Sequence, residues 1–113
     1  MTEVERLGDE LIEAIKNSKE CNQYQSILAQ VKAQPQLYAR IGEYHRRSLA
    51  LQFSDCENMI YENNQLQKEF VDLQNNSLAN EYLAAEHQYC ELIRNFQDKF
   101  LEAVNIDIEF LEA

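Results

Sequence analysis

Apolar residues recur along this chain at intervals of three and four, the spacing that gathers side chains on one side of a helix. Val4, Leu7, Leu11 and Ile15 form a first stripe. Cys21, Tyr24, Leu28 and Val31 form a second, which also fits two heptads and places Cys21 on the apolar seam. Leu37, Ile41, Tyr44, Leu49 and Leu51 form a third; Met59, Leu66, Phe70 and Leu73, interrupted by the polar insert "ENNQ", form a fourth. Punctuation agrees with the stripes. Thr2…Glu5, Asn17…Glu20 and Ser54…Glu57 have the form of capping boxes, Pro35 suits the first residue of a third helix, and Ser77 opens a fifth. The pattern predicts an all-α chain: an antiparallel bundle of about five helices in one domain over residues 1–113, ending in its longest helix.

That last helix has the widest apolar face. At about 100° per residue, Tyr82, Ala85, Tyr89, Leu92, Ile93, Phe96, Phe100 and Val104 fill one side, and Leu83, Cys90 and Leu101 extend it to about half the cylinder. A bundle of short helices has few neighbours with which to cover so broad an arc, so the excess predicts a second copy of the chain. Aromatic side chains are enriched where proteins meet, which makes Tyr82, Tyr89, Phe96 and Phe100 the residues expected to divide between the core and an oligomer interface. Beyond the helix, "NIDIEFLEA" alternates Ile106, Ile108 and Phe110 with Asp107 and Glu109, which suits a strand. Val104, Ile108 and Leu111 also fit a helical spacing, and an extended segment docked on the bundle is the expectation.

Composition narrows the class. Two glycines and one proline in 113 residues supply too little turn chemistry for a sheet-rich fold. Gly8 and Gly42 both fall inside helical patterns, where the cost relative to alanine predicts close approach by a neighbouring helix. Twenty acidic side chains against ten basic ones give a net charge of −10, a surface that repels phosphate backbones. Direct nucleic-acid binding is not expected, and the basic spot His45-Arg46-Arg47 reads as a solvated helix face. No window approaches the ~18 apolar residues of a membrane span. Cys21, Cys56 and Cys90 are widely spaced, with no signal peptide ahead of them, which suits reduced thiols in a cytoplasm.

One constellation has chemical character: Glu86, His87 and Cys90, within about a turn of each other. His87 and Cys90 at i, i+3 could share an ion, but zinc asks for three or four protein ligands, and the rest would have to come from Cys21, Cys56, His45 or a second subunit. The bland reading puts Cys90 in the core as a small hydrophobe, with His87 and Glu86 at its rim. No phosphate loop, GxSxG or HExxH motif is present, and the carboxylates are scattered. No cofactor or catalytic residue is expected.

Three stretches, "LGDELIEAIKNS", "AQPQLYARIGEY" and above all "NEYLAAEHQYCELIRNFQDKFLEAVNIDIEFLEA", resemble the YlbF/YmcA family of small helical bacterial regulators over nearly the whole chain. The resemblance implies a self-associating all-α bundle without enzymatic activity, found mostly in Firmicutes. It implies an adaptor that joins sister family proteins, supports competence, sporulation and biofilm development, and acts on RNA processing through ribonuclease Y. There are two departures from the family pattern. Gln34-Pro35-Gln36 stands where the family has an acidic pair, and the chain ends "FLEA" without the cysteines tied to iron–sulfur association in some members. A cluster is therefore not carried over to Cys21, Cys56 or Cys90, and a redox sensor built on His87 and Cys90 is the alternative to the adaptor.

Overall fold

A computed structural model describes residues 2–54 and 57–105. The expectations for Cys56 and for the tail from Ile106 onward fall outside the described residues. Those residues form six helices and no strand: α1 Glu3–Lys16, α2 Lys19–Lys32, α3 Pro35–Gln52, α4 Met59–Glu69, α5 Val71–Gln74 and α6 Ser77–Ala103.

The cap chemistry explains most of these boundaries. Thr2 accepts the backbone N–H of Glu5 and starts α1 as its box predicts. α2 is capped by Ser18 rather than Asn17. The Ser18 hydroxyl accepts from the Cys21 N–H while donating to the Ile15 carbonyl, so one side chain closes α1 and opens α2, and Asn17 becomes the C-cap of α1. Ser54 likewise closes a helix instead of opening one, since its hydroxyl donates to the Leu51 carbonyl at the end of α3. α4 begins later, after Asn58. The helix breaks again at Phe70, so the single fourth helix of the sequence pattern is two, α4 and the one-turn α5. Asn76 caps α6 by accepting from Ala79 N–H, leaving Ser77 as its first residue.

The core lies where the C-terminal half of α2, the middle of α3, the α4–α5 corner and the start of α6 meet: Ile27, Val31, Ile41, Leu66, Phe70, Leu73, Ala79, Tyr82 and Ala85. α2 and α6 make the most extensive contact. They run antiparallel, with Lys19, Glu20 and Gln23 beside Gln88, Glu91 and Asn95, while Tyr24 packs on both Tyr82 and Tyr89. Tyr24, Leu28, Leu37, Tyr44, Leu51 and Leu83 wall the core from outside.

Two predicted stripes are not buried. α1 contributes no buried residue, although its apolar positions are well segregated. α6 buries only Ala79, Tyr82 and Ala85, near its N-terminus, because only there do α2, α3 and the α4–α5 corner close around it together; the 14 residues of α2 continue beside the 27 of α6 as far as Asn95 and leave its last turns uncovered. Cys90, expected in the core, is exposed because it lies on a flank of α6 turned away from the half-buried Tyr89 and Leu92 that face α2, whereas Cys21 is buried as expected. Neither glycine admits a neighbouring helix. A Cβ on Gly8 would meet nothing within 4 Å, and one on Gly42 would meet only the Arg46 side chain at 3.5 Å.

Candidate interaction surface

The second half of α6 and the flank of α1 form an open apolar groove lined by Val4, Leu7, Gly8, Leu11, Ile12, Phe96 and Phe100. Its walls have very little polar surface, and it encloses about 520 Å³. Phe96 and Phe100 stack, with ring centroids 6.1 Å apart and planes 25° from parallel. Ile93, Leu101 and Val104 are exposed on the same half of the helix, and Phe100 is 50% exposed. Tyr89, Ile93, Phe96, Phe100 and Ala103 follow one another at 4, 3, 4 and 3 residues, the alternation of a coiled-coil seam. Contiguous apolar surface of this kind marks sites of association.

The charges around this seam differ from those of the rest of the chain. From Leu92 to Asn105 the charged residues are Arg94, Asp98, Lys99 and Glu102, two of each sign, in a protein of net charge −10. Two copies can bring the α6 segments together without the repulsion that the acidic remainder imposes, whereas α1, the other wall of the groove, carries Glu3, Glu5, Asp9, Glu10 and Glu13 against Arg6 and Lys16.

The four aromatic residues singled out on α6 occupy graded positions. Tyr82 is 6% exposed and belongs to the core, Tyr89 is half-buried against Tyr24, and Phe96 and Phe100 are open. His87 is exposed and lies 3.6 Å from Glu91 on its own helix. Among the described residues, no group of three or more His, Cys, Asp or Glu side chains converges to hold a metal. His87 and Cys90 therefore gain no third ligand there.

Glu86 and His45 do meet. His45 Nε2 lies 3.1 Å from Glu86 Oε2, off the line of a hydrogen bond, and the two form an ion pair between α3 and α6 when His45 is protonated. Tyr82 donates its hydroxyl proton to the same carboxylate oxygen at 3.2 Å, and the Tyr24 hydroxyl lies 3.4 Å from that of Tyr82. The result is a polar chain across α2, α6 and α3. Contact with Glu86 outweighs partial burial and raises the pKa of His45, while His45 lowers that of Glu86. Burial first, then the Tyr24 hydroxyl and the Glu86 charge, raises that of Tyr82. The basic run is thus not a uniformly solvated face. His45 pairs with α6, Arg47 pairs with Glu69, and Arg46 stays free among the described residues. Nothing in the local sequence announces the His45–Glu86 pair, since the partners are 41 positions apart.

A second clasp secures α3 to the α4–α5 corner. Arg40 holds Asp72 through both carboxylate oxygens at 3.1 Å and donates to the Glu69 carbonyl at 2.9 Å, with its guanidinium 4.0 Å from the centroid of the Phe70 ring. Phe70 is 1% exposed, so this cation also seals the core.

Among the described residues, no helix is long and apolar enough to cross a membrane. No curated relative and no solved structure matches the chain. The family model described as control of competence regulator ComK, YlbF/YmcA, matches residues 4–105.

Proposed function

The chain belongs to the YlbF/YmcA family, and we propose that it is a non-enzymatic cytoplasmic regulatory adaptor that works as a homo-oligomer through protein contacts. The observation that carries this reading is the apolar strip formed by α1 and the second half of α6, which its own chain leaves open. A second copy applied about a two-fold axis would pair two such strips into a four-helix arrangement with a seam of Phe96 and Phe100, a self-complementary interface in which each surface meets itself. The balanced charges of Arg94, Asp98, Lys99 and Glu102 let the α6 segments of two copies meet without mutual repulsion. The processes in which the adaptor would act are those of its family, competence, sporulation, biofilm development and RNA processing, with sister family proteins and ribonuclease Y as partners.

The test is a mass in solution. Light scattering on the eluting protein at micromolar concentration is expected to return a multiple of 13.3 kDa. Phe96→Asp is expected to return the single-chain mass with most of the helicity retained, because Phe96 lies outside the core and is 38% exposed in one chain, so a charge costs most where the seam would bury it. A wild-type protein of single-chain mass overturns the reading.

A further inference from the structure

α3 has a second exposed face, separate from the one that packs on the core. At about 100° per residue, Tyr38, Gly42, Arg46, Leu49 and Phe53 fall within an arc of about 80°, well apart from Leu37, Ile41 and Tyr44 on the buried side. Tyr38, Leu49 and Phe53 are exposed, Phe53 at 82%. Isolated exposed apolar residues are ordinary, but here they share one stripe at the spacing of a helix that packs on both sides. Midway along it, Gly42 forms the floor of an open cleft of about 400 Å³ between α3 and Tyr82. The glycine pays a helix penalty that no close neighbour within the chain explains, since only the movable end of Arg46 stands near where its Cβ would be.

Charge indicates what would lie there. Arg46 and Lys32, whose ammonium sits 5.9 Å from the Tyr38 ring centroid, are cations without an ion-pair partner among the described residues. They flank the cleft and the stripe of a protein that is otherwise strongly acidic. We infer that the outer face of α3 is a docking site for an acidic amphipathic helix of another protein. Its apolar side chains would lie along Tyr38, Leu49 and Phe53, its backbone would approach over Gly42, and its carboxylates would pair with Arg46 and Lys32. This rests on the reading of the protein as an adaptor, and uses a surface distinct from the α6 seam. One chain could then bind a copy of itself at one face and a different partner at the other.

A labelled synthetic peptide with Leu at helical spacing on one face and Glu on the other, unrelated in sequence to α1, is a suitable probe of this chemistry. Its binding to the full-length protein can be followed by fluorescence anisotropy. Gly42→Leu projects a side chain into the cleft, where its Cβ meets only the movable end of Arg46 at 3.5 Å, and Arg46→Glu reverses the free charge. Each is expected to weaken peptide binding at least about tenfold, with the wild-type affinity also falling as salt is added. Phe96→Asp is expected to leave peptide binding unchanged while altering the oligomer mass, which separates this site from the seam. Three results would overturn the inference: no peptide binding, binding lost in Phe96→Asp but kept in Gly42→Leu, or a lowered oligomer mass in Gly42→Leu. The last would assign the α3 face to a second copy.

Discussion

His45 illustrates how one side chain can tie pH to the stability of the whole arrangement. Its pKa is raised by Glu86 above the ordinary 6.5, so its contribution is fully present below that value and is lost as pH rises through the higher folded value. Glu86 is lowered below 4.5 by His45, so its contribution is present above 4.5 and is lost as pH falls through the lower folded value. Between about 4.5 and 6.5 both are in place. Both groups are partly solvated, and screening limits the effect to about 1 kcal/mol or less. Denaturant titrations are expected to show stability falling above this window, and the fall is expected to be shallower in His45→Gln. At the same scale, Phe70→Ala is expected to cost about 3–5 kcal/mol, since it empties the centre of the core beneath Arg40. Chemical denaturation measures that loss directly.

At the scale of the element, the caps decide where helices begin. Asn76 and Ser77 are adjacent polar residues that could each start α6, but only the Asn76 side chain accepts the Ala79 N–H. Asn76→Ala is therefore expected to cost about 1 kcal/mol in thermal or denaturant unfolding, and Ser77→Ala to cost little. Gly8 gives the opposite sign. It lies inside α1 with open space where its Cβ would be, so Gly8→Ala is expected to stabilise the protein by about 0.5–1 kcal/mol, read as a rise in melting temperature. Most helix centres were legible in the sequence because a three-to-four spacing is a local property. Ser18 and Ser54 were not, because a hydroxyl between two helices can serve either one, and only the path of the chain selects which.

The molecule as a whole is flat, 48 by 41 by 18 Å, with its core toward one side and α1 and the end of α6 projecting from it. Protection from amide hydrogen exchange should follow this layout. The stretch of α6 around Tyr82 and Ala85 is expected to exchange slowest. In the proposed pairing, protection beyond Phe96 would come from a second copy, so the difference between wild type and Phe96→Asp is expected to concentrate there and in α1. Protection of those segments unchanged by Phe96→Asp would show that the seam does not cover them.

The sequence by itself determined the helical class, the five main helical segments and the breadth of the apolar arc on the longest one, because periodicity, composition and most caps act within a few residues of each other. It also held the resemblance that the family match over residues 4–105 supports. Which part of that arc the chain covers was decided by tertiary structure alone. The core closes around the first turns of α6 and α2 runs beside it only as far as Asn95, so Tyr82 is core, Phe96 lies at the surface, and Cys90, on a flank away from α2, is exposed. The same holds for the polar chain from Tyr24 to His45 and for the clasp of Arg40 on Asp72, which join residues far apart along the chain. Such contacts depend on how helices of unequal length are laid side by side, and a pattern that repeats every three or four residues contains no record of that.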